Sequence, residues 1–336
     1  MRRRVFAASL AGLGCGRSRQ SRLNVFNWSA YVAPETVPNF EREFGVKVRY
    51  SIYESNEEML ARVFSGNSGW DVVFPTHYMV PPMREQGLLV ALDPAQLPNR
   101  KHLDPAFVRP GLTEYAVPYM WNATGIVFNK KLQPTPESWA DLWRPALRGK
   151  ITMLDDPAEV LAAALRKLGL SLNSRNPDEL RAAQREALRQ KPLLRAYLNS
   201  EVRDQVVAGD VMAAQLWSTT AQQAIDAAPH LGFVYPREGF PVNLDCAVIL
   251  RESPRQELAH AWINYLLRPD VSARVADSMR TATANLAARP LLGAGTRDNG
   301  TLYPSAEVMA RAEWFETMTP EVQRLRDRLW TEIKSA

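Results

Sequence analysis

Residues 23–74, LNVFNWSAYVAPETVPNFEREFGVKVRYSIYESNEEMLARVFSGNSGWDVVF, decide the fold class. The strand-like run Leu23–Asn27 is followed by a helical pattern over Glu35–Phe44, entered through Pro34 and stopped at Gly45. Proline suits a helix entry because the amide it lacks has no intrahelical partner there, and glycine just past the end takes the left-handed conformation without a Cβ clash. Val46–Tyr53 reads as a second strand, and Ser55 with Glu58 has capping-box spacing at the head of a helix carrying Met59, Leu60 and Val63. Gly66–Gly69 then turns the chain into a third strand, Asp71–Phe74. Strand, helix, strand, helix, strand is the grammar of an α/β lobe.

The same grammar returns downstream without repeating the sequence. Lys150–Leu154 leads into a helix over Pro157–Leu168, ended by Gly169; Val211–Leu216 leads into a helix through Ala221–Ala227, and Gly232–Tyr235 makes another short strand. Asp245–Leu250 and a Ser253-capped helix over Pro254–Leu267 read as a return to the first lobe. Open α/β sheets take ligands at the carboxyl ends of their strands. Trp28, Tyr31, Tyr78, Trp217, Asp156, Glu159 and Asp245 fall at such ends and crossovers. Aromatic faces attract alkylammonium groups and carboxylates hydrogen-bond them, so a pocket combining the two suits methylenes strung between positive amines, a polyamine. Structural readings stand beside this one. Asp156 is also an N-cap, with Pro157 in the first turn and Glu159 completing a capping box; Asp245 is also a strand-start residue, and the aromatics are also packing residues.

Composition bounds the alternatives. With 336 residues, 46% of them hydrophobic, the chain is long enough to bury the cores of two lobes. Its formal charge of +5 includes Arg2, Arg3 and Arg4; cleavage before Cys15 leaves only +2, too little to argue for nucleic acid. Those arginines, the apolar stretch Val5–Gly14 and Cys15 read as an export signal; Arg3-Arg4-Val5-Phe6 loosely fits a twin-arginine pattern. Gly14-Cys15 suggests lipoprotein processing, although Gly12 stands where a lipobox usually has leucine, so lipidation at Cys15, cleavage nearby and an uncleaved anchor all remain open. No later apolar run approaches the roughly 20 residues a spanning helix needs, so a body outside the cytoplasm, touching membrane only through its N-terminus, is expected. Cys246 reads as a buried strand residue with no intramolecular disulfide. His77, His102, His230 and His260 lack metal-ligand spacing, and no GxSxG, GxGxxG or Walker string occurs, so neither metal, cofactor nor enzyme activity is expected. A glycan-acting enzyme built on an acidic pair is the remaining catalytic reading.

Seven stretches in order, Asn24–Val32 (NVFNWSAYV), Tyr53–Met59 (YESNEEM), Pro118–Gly125 (PYMWNATG), Ser138–Pro145 (SWADLWRP), Leu154–Gly169, Leu266–Val271 (LLRPDV) and Asn285–Arg289 (NLAAR), carry a resemblance over most of the chain. It resembles the extracytoplasmic polyamine-binding proteins of bacterial ABC importers, the spermidine- and putrescine-binding family. The resemblance implies a two-lobed type II periplasmic-binding fold with an interlobe cleft and several crossovers. It implies an export signal and tether over 1–22, one lobe from 23–126 and 244–289, and another from 127–243 and 290–336. By the same resemblance Trp28, Tyr31, Tyr78 and Trp217 wall the ligand channel and Asp156, Glu159 and Asp245 pair with amines. Ser29, Thr76 and Ser200 are further polar candidates, and Asn243, Tyr303 and Phe315 possible ones. The sequence departs from spermidine-binding members at Ala30, where they carry Glu, at Asn243, where they carry Trp, and at Phe315, where they carry Gln. The implied function is a monomeric receptor that delivers spermidine or putrescine, with a lean to spermidine, to ABC permease subunits without chemistry of its own. A sensor or scavenger lipoprotein and a receptor for another cationic amine are the alternatives.

Overall fold

The computed structural model describes residues 21–64 and 66–336; the expectations for the export segment and Cys15 lie outside the described residues. Eleven strands occur among the described residues: β1 (Arg22–Trp28), β2 (Lys47–Tyr53), β3 (Val72–Val73), β4 (Ala116–Asn129), β5 (Ile151–Met153), β6 (Leu194–Tyr197), β7 (Ala213–Trp217), β8 (Leu231–Val234), β9 (Phe240–Ile249), β10 (Ala282–Thr283) and β11 (Ala312–Trp314). Along the sheet they run β2-β1-β3-β9-β4-β7-β5-β6, with β8 and β10 also on β4 and β11 on β9.

Two long strands join the halves. β4 pairs antiparallel with β9 over Ala116–Ala123 and then, from Thr124 to Phe128, with β7. Each half is otherwise parallel, β1 with β2 and β3, and β5 with β6 and β7. Because parallel strands need crossovers, each half carries its helices between strands and points its strand carboxyl ends toward the seam. This is the α/β architecture with repeated crossovers expected for a type II periplasmic-binding fold.

The local signals resolve as their chemistry requires. Gly45 ends the helix Thr36–Phe44 at φ 67° and donates to the Glu41 carbonyl at 3.0 Å. Ser55 Oγ accepts from the Glu58 amide at 3.1 Å, but Glu58 reaches back to the Glu54 amide at 3.2 Å, one residue short of a reciprocal box. Ser253 is not the cap expected for the helix that follows, which runs Gln256–Leu266; its hydroxyl donates to Asp71 Oδ1 at 2.6 Å. Asp71, fully buried, also takes the Asn24 amide at 2.7 Å and Arg255 Nε at 3.0 Å, so a buried charge is neutralised, while the Ser253 oxygen accepts from the Arg255 amide at 3.1 Å, just ahead of the first helical residue.

A second difference bears on the site. β9 begins at Phe240, not at Asp245, because FPVNLDCAVI is covered on both faces and needs no polar alternation. Asp245 therefore sits in mid-strand opposite Met120, and Cys246 beside it is a buried free thiol.

Candidate functional site

A cavity of about 320 Å³ opens at the seam between the two halves. Its side chains come from the ends of β1, β2 and β7, from the turns after β3 and β5, and from the shared strands β4 and β9. Trp28, Tyr31, Tyr78 and Trp217 supply aromatic surface, and all of Ser29, Thr76, Asp156, Glu159, Ser200, Asn243 and Asp245 line it as well. Six carboxylates (Glu54, Asp156, Glu159, Glu201, Asp204 and Asp245) face one guanidinium, Arg203, which is 3.1 Å from Asp204.

The first-half wall is a hydrogen-bonded unit. Asp245 accepts from Tyr31 Oη at 2.6 Å through Oδ2 and from Thr76 Oγ1 at 2.9 Å through Oδ1. Asn56 supports both neighbours, donating to Thr76 Oγ1 at 3.1 Å and to Tyr78 Oη at 3.3 Å. Trp28 is pinned by its Nε1 to the Phe74 carbonyl at 2.7 Å. Burial pushes the Asp245 carboxyl up to about 6, while the two hydroxyls hold it down. Each carboxylate oxygen keeps a further lone pair for a cation.

Across the seam, Asp156 caps the helix Pro157–Lys167, its Oδ1 accepting from Ala158 at 2.8 Å and Glu159 at 3.0 Å. Glu159 does not complete a capping box. Its Oε1 accepts from Asn243 Nδ2 at 2.8 Å, Thr124 Oγ1 at 2.9 Å and Trp217 Nε1 at 3.1 Å, so the side chain crosses to β4, β7 and β9. Burial, and then the Asp156 charge, push the Glu159 carboxyl up to about 8, against those three donors. Asp156 is likewise raised by burial and drawn down by the amides it caps and by Arg326. Arg326 is buried on the C-terminal helix Pro320–Ser335, donates from Nη2 to the Leu172 carbonyl at 3.0 Å, and is lowered by burial to about 10. At the rim the halves touch where Ser200 Oγ meets Glu54 Oε2 at 2.6 Å and Asn199 Nδ2 meets the Glu54 carbonyl at 3.2 Å.

Two expected residues lie elsewhere. Tyr303 packs against Trp121, 5.8 Å between rings, under Arg289, and accepts from the Thr283 amide at 3.1 Å. Trp121 and Asn122 are consecutive in β4 and so point to opposite faces, which puts Tyr303 behind the strand. Phe315 is buried behind Tyr78, with ring centroids 5.5 Å apart, and does not line the cavity. Sequence reading also missed Glu54, Asn56, Asn122, Thr124 and Arg326. The signal for Asn122 was a lone amide within the otherwise apolar Pro118–Ala123, and a buried amide needs partners. His77 is structural: it takes the Leu244 amide on Nδ1 at 3.3 Å and gives Nε2–H to the Phe315 carbonyl at 2.8 Å, and burial holds it neutral at about 4.

Residues 35–298 match the family profile of the bacterial extracellular solute-binding proteins. The chain belongs to that family. It is 36% identical to the spermidine/putrescine-binding periplasmic protein of Escherichia coli (strain K12), in a 321-residue alignment covering 93% of this chain and 92% of the relative. Its fold matches the spermidine/putrescine ABC transporter substrate-binding protein PotD of Streptococcus pneumoniae, with TM-score 0.81, 29% identity, and 94% and 99% of the two chains covered. The Tp0655 (TpPotD) lipoprotein of Treponema pallidum gives TM-score 0.82 at 27% identity, with 93% and 99% covered. Among the described residues no helix is long and apolar enough to cross a membrane, and no group of His, Cys, Asp and Glu is arranged to hold a metal ion.

Proposed function

We propose that this protein is an extracytoplasmic receptor that binds a polyamine reversibly and hands it to the permease of an ABC importer. The observation that carries this reading is the cavity itself: six carboxylates and four aromatic side chains against one arginine already paired with Asp204. A field of that sign, focused in a cleft, concentrates cations, and aromatic faces accept the methylenes between charges. The relatives named above, which carry spermidine and putrescine in their names, support the same ligand class. In this reading Trp28, Tyr31, Tyr78 and Trp217 hold the chain of the ligand, Asp156, Glu159 and Asp245 pair with its amines, and Ser29, Thr76 and Ser200 add polar contacts. The residue blocks 23–126 with 244–289, and 127–243 with 290–336, move as lobes about β4 and β9 and close on the ligand. The mature protein is a monomer, held outside the cytoplasm and tethered by lipid on Cys15; Cys15→Ser releases it to the soluble fraction, and a wild type already soluble removes the tether alone. No step of this function breaks a covalent bond.

Calorimetry with putrescine, cadaverine, spermidine and spermine tests the reading. At least one of them binds with a stoichiometry of one; heats indistinguishable from dilution for all four would overturn it.

A further inference from the structure

Three oxygens on residues at the seam are shielded from solvent and meet no donor: Glu159 Oε2, Asn243 Oδ1 and Asn122 Oδ1. All three residues line the cavity. Asn122 and Asn243 are directly opposed in the β4–β9 ladder, so their side chains rise from the same face roughly 5 Å apart at Cβ. Asn243 in turn holds Glu159 at 2.8 Å.

The orientation of both amides is forced by chemistry. Glu159 must be ionised to hold a cation, and in that form its Oε1, which Trp217 Nε1 meets at 3.1 Å, is an acceptor only. Asn243 must therefore turn its NH₂ to that oxygen and its carbonyl away. Tyr31 Oη spends its proton on Asp245 at 2.6 Å, so the group Asn122 offers it, at 3.4 Å, is again NH₂. With Glu159 ionised, what is left over on each residue is an acceptor, and an acceptor buried without a partner is costly until a donor arrives. Asp245 differs: both its oxygens already receive a hydroxyl.

We infer that Asn122, Asn243 and Glu159 form a seat for one unsubstituted primary ammonium, which makes the two asparagines determinants of specificity. The inference rests on the polyamine reading above and deepens it. Three acceptors match the three N–H bonds of R–NH₃⁺, and one of them is a carboxylate oxygen that neutralises the charge. A secondary ammonium leaves one acceptor unpaired and a quaternary one leaves all three. A site built to receive N–H groups rejects analogues that lack them far more strongly than a purely apolar or purely charged pocket would.

The test is calorimetry on the mature protein with 1,4-diaminobutane and with its bis(trimethylammonium) counterpart, which keeps both charges and the chain length. Wild type binds the primary diamine at least about 100-fold tighter, and Asn122→Leu/Asn243→Leu lowers that preference below about tenfold. Asn243→Ala alone lowers it part-way, which covers the case of a double variant that does not fold. A variant that merely loosens the fold weakens both ligands alike and leaves the ratio unchanged, and an unchanged ratio overturns the seat. Equal affinity of wild type for the two ligands overturns the seat while leaving the polyamine reading standing. Failure of wild type to bind 1,4-diaminobutane or any of the other polyamines removes both.

Discussion

Ligand binding releases protons near neutral pH, and the affinity climbs with pH. Glu159 titrates at about 8 and Asp245 at about 6 in the empty cavity, both displaced upward chiefly by burial. At pH 7 those values leave Glu159 about nine-tenths protonated and Asp245 about one-tenth. An ammonium seated against either carboxylate requires the ionised form, because a neutral acid offers no opposite charge to a buried cation. Binding at pH 7 therefore displaces about one proton. The fraction of protein with both groups ionised falls about twentyfold between pH 8 and 6.5, and the apparent affinity falls with it. Aliphatic amines, titrating near 10, stay charged over this range, so the ligand contributes little. Asp156, also raised, acts in the same direction. The assay is calorimetry at pH 7 in phosphate and in Tris, whose ionisation enthalpies differ: the difference in apparent heat reports the protons released. In Glu159→Gln the release drops to what Asp245 and Asp156 leave. Equal heats in the two buffers for wild type, with affinity flat from pH 6.5 to 8, would refute the assignment of ionised Glu159 to the ligand.

Asp245→Asn removes the charge while keeping the size; truncating one side of a desolvated ion pair commonly costs about 2–5 kcal/mol, so polyamine binding weakens tenfold or more. Asp155→Asn, outside the cavity and paired with Lys334 at 2.6 Å, leaves binding unchanged; wild-type affinity in a folded Asp245→Asn would sink the amine site. Ligand-free stability has the opposite pH dependence from binding: the folded pKa of Glu159 is raised above its unfolded value, so its contribution is full below about 4.5 and is lost as pH rises through about 8. His77, lowered to about 4, changes its own contribution only below about 6.5, so between pH 6.5 and 8 the melting temperature of the empty protein falls, and Glu159→Gln flattens that slope. A wild-type melting temperature that rises over this window contradicts the burial argument. Small-angle scattering with saturating polyamine gives a smaller radius of gyration than without; an identical profile, with binding shown by calorimetry, counts against closure about β4 and β9.

The strand–helix alternation over residues 23–74 was legible because its signals are local. Pro34, Gly45 and the Ser55–Glu58 spacing act within a turn of the helix they delimit, and an alternation of strand and helix patterns needs no distant partner to be read. The aromatic and acidic residues were legible as candidates for a similar reason: they stand at strand ends, where an open α/β sheet places ligands whatever its sequence. Only the tertiary structure decided what each side chain does there. Asp156 and Glu159 share one helix start, and nothing within four residues shows that Asp156 caps it while Glu159 turns across the seam to Thr124, Trp217 and Asn243. Asp245 looked like a strand start because its apolar neighbours follow it; the strand in fact runs through it, since a central strand covered on both faces carries no alternation to mark its beginning. Tyr303 and Phe315 are separated from the cavity by the face of β4 and by the Tyr78 ring, a matter of which side of a strand a distant segment packs against. Arg326 and Asn122 belong to the same class. Their influence on the site runs through contacts more than a hundred residues apart for Arg326 and across a strand register for Asn122, and neither distance is encoded in the residues that flank them.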